Sequence, residues 1–317
     1  MATKPEVLIL SSRTDFSCDY VVGRLAALGR PYLRLNTEDL PSYEITLDPL
    51  RKEFGCKIKN TSFLISTESL RSVWFRRSIY LRDSGASIPL SADEQIARMQ
   101  WAAFIRGLMV FDQARWFNHP GATYFAEQKP LQLSVAKEVG FSVPQTLITN
   151  DAAKAEAFSS ERLAVKGVDT IIAYESGEEV FAFTNILPKA HLTTECLRPF
   201  PVIVQEAMLP KVDIRVTVVG DAVFAASITR DGCEIEGDWR SDKTGLCYSR
   251  HSLPSTVERL CLKLMDRLGL RFGAIDLVQR SSDYFFLEIN PTGEWAWLVD
   301  ATGMKIDEAI ARALTSS

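Results

Sequence analysis

Near its C-terminus the chain sets three oxygen-bearing side chains inside two strongly apolar segments. Phe272–Gln279 and Tyr284–Asn290 both read as β-strands, and they carry Asp276, Glu288 and Asn290. Period two puts Glu288 and Asn290 on one face. A three-residue loop, Ser281–Asp283, would pair residue 280 with 284 and set Asp276 opposite Glu288. A slip of one residue would turn Asp276 to the other face. Carboxylates among Phe, Ile and Leu cost roughly several kcal/mol each unless compensated. A hard divalent cation compensates, and Mg2+ takes carboxylate and phosphate oxygens. The alternative is a solvated hairpin face that carries acids by chance.

The rest of the composition is that of an ordinary globular chain: 317 residues, 46% hydrophobic and 24% charged. The length corresponds to about two domains. A net charge of −4 argues against broad nucleic-acid binding. No apolar run approaches the ~18 residues of a membrane span, and the start is too weakly apolar for a secretory signal. Cys18, Cys56, Cys196, Cys233, Cys247 and Cys261 are scattered, as are His119, His191 and His251. That pattern gives little support to a zinc site or a His-based triad and fits a reduced, cytoplasmic protein.

At the N-terminus, strand Glu6–Leu10, helix Cys18–Leu28 closed by Gly29, and strand Pro31–Leu35 form a βαβ unit and imply a parallel sheet. Short strands follow at Ser62–Ser66 and Ser72–Phe75. Ser91–Glu94 is a capping-box pattern. It opens a long helix whose stripe, Ala97, Trp101, Phe104, Ile105, Leu108 and Phe111, is expected to pack on the first sheet or to support a dimer interface. Asn118–Gly121 reads as a turn and a boundary. A helix opened by Lys129-Pro130 ends at Gly140. Beyond it the pattern is mostly antiparallel strand pairs. They include Leu163–Gly167, a hairpin around Glu175–Glu179, Pro201–Glu206, and the hairpin 214–228 turning at Gly220-Asp221. One further helix covers Val257–Leu268.

Several charged residues bear on the acidic strand pair. Lys166 lies inside an apolar strand and needs an anion; phosphate would serve, and snorkelling from an edge strand is the alternative. Lys129 opens a helix, where backbone N–H groups favour anions; it also reads as a plain surface lysine. Arg215 is a sheet-surface charge or a site residue. Arg240, beside Trp239, is a cation–π partner or a site residue. Trp295 and Trp297 read as core or interface. Arg76-Arg77 reads either as a contact for an acidic substrate or as a solvated strand end, and Asp15 and Asp19 read as caps or partner contacts.

Taken in order, Lys129, Lys166, Gln205-Glu206, Asp213-Ile-Arg215, Asp238-Trp-Arg240, Asp276 and Glu288-Ile-Asn290 resemble the ATP-grasp carboxylate–amine ligases over about residues 118–303. Within that family two groups are similar. Gln205-Glu206, Asp213-Ile-Arg215, Val219-Gly220-Asp221 and Gly237–Ser241 resemble the ribosomal-protein glutamate ligases. Trp74–Arg77, Asn118–Pro120, Lys129–Leu133, Thr149-Asn150 and Asn290-Pro-Thr-Gly-Glu-Trp295 resemble the microviridin-type (graspetide) peptide maturases. This second resemblance runs nearly end to end and ranks first.

The resemblance implies an α/β (α+β) ATP-grasp fold with an N-terminal βαβ pre-ATP-grasp domain. The expected partition is 1–117 for that domain, 118–204 for a central subdomain and 205–317 for a C-terminal one. It implies ATP and Mg2+ as cofactors. Lys129 and Lys166 would contact phosphates, Glu206 and Ala207 the adenine, and Asp213 the ribose. Asp276, Glu288 and Asn290 would ligate Mg2+. Arg215 and Arg240 would neutralise the transferring phosphoryl group or the acyl phosphate. The sequence departs from the pattern in two places: only Gly167 and Gly177 stand where many members carry a glycine-rich phosphate loop, and Asp242 replaces an expected Asn.

The implied reaction phosphorylates Asp or Glu side chains of a ribosomal precursor peptide, leader plus core. Each is then joined to a Thr or Ser hydroxyl or a Lys amine, giving macrocycles. A glutamate or amino-acid ligase acting on a protein tail or small peptide is the alternative, and an ATP-binding regulator a third reading. A homodimer follows from the resemblance alone. Nucleic-acid and membrane partners are not expected.

Overall fold

Alternating Val7 and Ile9 against Leu8 and Leu10 are all buried, so the first strand must be covered on both faces. The computed structural model describes residues 2–76, 91–169, 172–175, 178–181 and 183–316. Arg77 and Gly177, singled out above, lie outside the described residues. The chain opens with β1 (Val7–Ser11), α1 (Phe16–Ala27) and β2 (Tyr32–Asn36), then a meander of β3 (Glu44–Asp48), β4 (Glu53–Ile58) and β5 (Thr61–Ser66). Next come β6 (Ser72–Phe75), α2 (Ala92–Gly107) and β7 (Arg115–Phe117). The expected parallel sheet is present, in the order β2-β1-β6-β7.

The capping box of α2 is formed: Ser91 Oγ accepts from the Glu94 N–H at 3.3 Å, and Glu94 accepts from the Ser91 N–H at 2.8 Å. Only the C-terminal half of α2 packs as expected. Ile105 is buried with Leu108 and Phe111 against Leu8, Leu10 and Val73, whereas Ala97 is exposed.

The second half follows with α3 (Pro120–Ala126), α4 (Lys129–Val139), β8 (Thr146–Thr149), β9 (Arg162–Gly167), β10 (Ile172–Glu175), β11 (Glu178–Phe181), β12 (Asn185–Pro188), α5 (Thr194–Leu197) and β13 (Val202–Glu206). It ends with β14 (Val212–Val219), β15 (Ala222–Arg230), β16 (Leu246–Arg250), α6 (Ser255–Arg267), β17 (Phe272–Arg280), β18 (Asp283–Asn290), α7 (Ala296–Thr302) and α8 (Ile306–Thr315). The stretch read as a turn at Asn118–Gly121 instead launches α3. The His119 ring accepts from the Gly121 N–H at 3.1 Å, and Pro120 takes the first helical position, where its missing N–H costs nothing.

Two antiparallel sheets face each other: β12-β9-β13-β8, and β16-β15-β14-β17-β18. The helix α6 lays Val257, Cys261, Leu264 and Met265 against one face of the five-stranded sheet, beside Val135 and Val139 of α4. The last helix, α8, buries Ile306, Ile310 and Leu314 in a cluster with Val7, Ile9 and Trp74 of the N-terminal sheet and Phe272 and Val219 of the C-terminal one. That shared core ties the two sheets together. Among the described residues no helix is long and apolar enough to cross a membrane.

Candidate nucleotide and metal site

The carboxylates of the last hairpin meet as expected, by a different route. The loop is two residues long, Ser281-Ser282, so Arg280 pairs with Asp283. Carried straight through, that register would put Leu287 opposite Asp276. A β-bulge between Asp276 and Leu277 absorbs one residue of β18, and Asp276 faces Glu288 after all. A bulge leaves one residue unpaired and re-aims its neighbours; here Leu287 and Glu288 both line the same cavity. On the other side of β17, Asp276 pairs with Arg215 of β14. One row across three strands therefore reads Arg215, Asp276, Glu288.

That cavity opens between the two antiparallel sheets. The four-stranded sheet contributes Ala164, Lys166 and Ile186, and the five-stranded sheet contributes Asp213, Asp276, Val278 and Glu288. The segment 205–208 and the loop 237–240 close its edges. Of the residues singled out from the sequence, Lys166, Glu206, Ala207, Asp213, Arg240, Asp276 and Glu288 all line it. Lys129 reaches it from the start of α4: its Nζ donates to the Gly167 carbonyl at 3.1 Å and lies 3.9 Å from Glu288. Arg215, at the end of the row, is 7% exposed and stands behind the cavity lining, donating to Asp276 at 2.9 Å. Asn290 is opposite Ala274, one step along the same face; its Oδ1 accepts from the Thr292 N–H at 3.0 Å. The Ala207 N–H is given to the Arg162 carbonyl at 3.3 Å.

The charges are arranged in pairs. Arg240 grips Asp238 with two parallel bonds of 2.9 Å and reaches Glu288 at 3.3 Å. Burial pushes the Glu288 carboxyl up, but Arg240, Lys166 and Lys129 outweigh it and hold the group well below the usual carboxylate range. Burial also depresses the Lys166 ammonium below its ordinary value; Glu288 opposes this and Lys129 adds to it. Asp213 behaves the opposite way to Glu288. Burial pushes it up to about 6 in spite of its ion pair with Lys211. Asp238 stays below its ordinary value because Arg240 overcomes the burial cost.

Lys211 was not anticipated, although alternation alone puts it on the face of Asp213. Two buried amides fix the strand ends. Asn118 donates to the carbonyls of Phe272 (2.8 Å) and Pro291 (2.9 Å) and accepts from the N–H groups of Arg271 and Phe272. Gln132 of α4 donates to the Ile289 carbonyl at 2.7 Å and accepts from its N–H at 3.0 Å, directly behind Glu288 and Asn290. Both residues stood in quoted motifs, but the strand ends they hold are more than 150 residues away.

Two carboxylates and an amide oxygen are hard donors. Among the described residues no group of three or more His, Cys, Asp or Glu side chains is placed to hold a metal ion. Such a sparse, all-oxygen set suits Mg2+, which keeps sites for water and phosphate oxygens. It suits zinc poorly. Lys129, Lys166, Arg215 and Arg240 stand against three carboxylates, Asp238, Asp276 and Glu288, which leaves one positive charge over at that end of the cavity, the sign a polyphosphate complements.

Both halves of the chain have relatives among known proteins. Residues 126–314 match the RimK-like ATP-grasp domain family, and residues 6–115 match the MvdD pre-ATP grasp domain. A RiPP-associated ATP-grasp ligase of Chryseobacterium gregarium, solved with ADP and a leader and core peptide, superposes with a TM-score of 0.83 at 27% identity, covering 98% of this chain and 96% of that one. The macrocyclase MdnC of Microcystis aeruginosa MRC, solved with the precursor peptide MdnA, gives 0.82 at 26% identity, covering 98% and 100%. A curated relative, the tetrahydromethanopterin:alpha-L-glutamate ligase of Methanocaldococcus jannaschii, is 30% identical over 99 residues, 31% of this chain and 33% of its own length. This chain thus matches about a third of that relative. The expected mixed fold and ATP-grasp assignment hold, and the chain belongs to the RimK-like ATP-grasp ligases, a family that works with ATP and Mg2+, and carries a pre-ATP-grasp domain ahead of the ligase fold.

Proposed function

We propose that this chain is an ADP-forming peptide macrocyclase. In this reading it phosphorylates Asp or Glu side chains of a precursor peptide and joins them to Thr or Ser hydroxyls as esters, or to Lys amines as amides. The observation that carries the proposal is the facing pair Asp276–Glu288 in a cavity that Lys166 lines, with Lys129 3.9 Å from Glu288 and Arg215 paired to Asp276 behind it. The two nearly full-length structural relatives, whose names describe peptide-bound ligases, supply the substrate class. The partition 1–117, 118–204 and 205–317 belongs to the same proposal, as does a cytoplasmic homodimer.

A carboxylate does not acylate an alcohol or amine at neutral pH, because its oxygen is a poor leaving group. Transfer of a phosphoryl group to it makes an acyl phosphate with a good one. Lys129 and Lys166 would hold the nucleotide phosphates as point charges. Glu206, Ala207 and Asp213 would position the adenine and ribose. Asp276, Glu288 and Asn290 would hold Mg2+, which when bound offsets charge on the phosphate oxygens. Arg215 and Arg240 are already aimed at that pair and would meet the charge that develops on the phosphoryl oxygens and on the tetrahedral oxyanion.

The local match to a glutamate ligase supports a second reading, addition of an amino acid to a peptide or protein tail. Mass spectrometry of candidate peptides incubated with the full chain, ATP and Mg2+ separates the two. Macrocyclisation removes one water, about 18 Da, for each bond formed. A gain of one amino-acid residue identifies the second reading and refutes the first.

A further inference from the structure

The N-terminal sheet has a topological switch point. From β1 the chain turns to β2 on one side, while β6 pairs on the other. In open parallel sheets the crevice beyond the carboxyl ends of such strands takes a ligand. Here the crevice is occupied from within the chain. Arg76, one residue past β6 and 2% exposed, stands in it. Its Nε donates to Asp15 at 3.0 Å and its Nη2 to the other Asp15 oxygen at 3.4 Å. Its remaining bonds go to the segment after β18: to the Thr292 carbonyl at 3.1 Å, the Gly293 carbonyl at 3.4 Å and the Glu294 carboxylate at 2.9 Å. The five N–H groups of a guanidinium thus meet five acceptors. Burial pushes the Asp15 carboxyl up, yet Arg76 and Ser11 hold it below its ordinary value. The second Glu294 oxygen accepts from the Ser17 hydroxyl.

The segment that Arg76 holds is in contact with the candidate site. The Glu294 carbonyl accepts from Arg215 Nη2 at 3.0 Å, and Arg215 Nη1 donates to Asp276 at 2.9 Å. Among the described residues the buried Arg215 Nε has no partner, so these two bonds orient the guanidinium. Gly293 is pressed against the same group: a Cβ there would lie 2.8 Å from Arg215 Nη2 and 2.5 Å from the Ala274 Cβ.

We propose that Arg76 is a positioning residue for the candidate site, clamping Thr292–Glu294 in the switch-point crevice so that the Glu294 carbonyl sets Arg215 and, through it, Asp276. The clamp stands on geometry alone; its consequence for catalysis rests on the function proposed above. Lysine would keep the charge but lose the planar fork.

The test uses the full chain with Arg76→Lys and, from the segment's side, Gly293→Ala, which leaves Arg76 in place. Hydrogen exchange in Arg76→Lys is expected to be at least tenfold faster over residues 290–296 and within twofold of wild type over β14–β15. Calorimetry with ATP is expected to give affinities within twofold of wild type without Mg2+, and an at least tenfold smaller gain on adding Mg2+, in both variants. Unchanged exchange over 290–296 overturns the clamp. Faster exchange with an unchanged Mg2+ gain overturns the positioning role, and so does a uniform loss of protection across the chain. Should Arg76→Lys not fold, the Mg2+ gain of Gly293→Ala decides the positioning role. A wild type that takes up no nucleotide refutes the site reading and with it the catalytic role, while exchange still decides the clamp.

Discussion

Asp276 and Glu288 face each other across β17 and β18, and each has its own arginine, Arg215 at 2.9 Å and Arg240 at 3.3 Å. Without these partners, the two largely buried carboxylates, 14% and 18% exposed, would carry a desolvation cost of roughly several kcal/mol each. The arginines offset that cost and remain at the place where phosphoryl charge would develop.

Replacing Glu288 by Gln removes a metal donor and leaves Arg240, Lys166 and Lys129 facing the cavity without their carboxylate. ATP binding without Mg2+ is expected to stay level or tighten. Mg2+-dependent phosphate release should fall by about 10²–10³-fold, the usual range for losing a preorganised charge partner. Calorimetry and steady-state turnover on the same preparation check both halves.

Lys166→Met should move stability and affinity in opposite directions. Burial holds the ammonium below its ordinary value, so the charged form is less favourable in the fold than in the unfolded chain. Wherever the ammonium is charged in the fold that penalty is present, and it fades as pH rises toward the ordinary lysine value; the variant is expected to melt a few degrees higher, about 2 °C. Its ATP affinity should drop about tenfold or more with the loss of a charge-assisted phosphate contact. Thermal melts and calorimetry test the pair, and a variant with lower stability and unchanged affinity would contradict the placement.

Asp213 gives a pH signature. Its carboxyl titrates at about 6, raised by burial. Because the folded value lies above the unfolded one, ionisation is disfavoured by the fold, and that cost appears as pH rises from about 4 and is complete above about 6. At pH 7.5 the carboxylate is ionised and free to accept from ribose hydroxyls; at pH 5.5 it is mostly protonated. Adenosine, which has no phosphate to titrate, should therefore bind several-fold more weakly at pH 5.5 than at 7.5. Asp213→Asn should flatten that dependence.

Asn118→Ala tests the strand-end clamp. The change strips partners from two carbonyls and two N–H groups at Phe272, Arg271 and Pro291. Unsatisfied buried groups cost about 1–3 kcal/mol each before relaxation or water entry. A net loss of about 2–4 kcal/mol is expected in urea unfolding.

The elements of this fold were largely legible because they rest on local rules: the capping box at Ser91, Lys129-Pro130 and Gly140 at the two ends of α4, and the strand alternation of the last hairpin. Shared faces in the candidate site were legible where two residues lie on one strand, as with Asp213 and Arg215 or Glu288 and Asn290. What escaped depends on distant contacts. The bulge that restores the Asp276–Glu288 pairing compensates for a loop one residue shorter than expected, and nothing in residues 281–283 announces it. Asn118 and Gln132 look like ordinary polar residues until β17 and β18 arrive beside them. Arg76 reads as a strand-end charge until the segment after β18 closes over it, and Asp15, read as a cap, both caps α1 and pairs with Arg76.

Asp276, Glu288 and Asn290 would hold the metal that accompanies a bound nucleotide. The most direct test is a crystal of the full chain grown with a non-hydrolysable ATP analogue and Mn2+, read by anomalous scattering. A manganese peak is expected within ligand distance of Asp276, Glu288 and Asn290, with the phosphates reaching Lys129 and Lys166. A nucleotide bound in this cavity with manganese away from those three residues, or a nucleotide bound elsewhere, would contradict this placement.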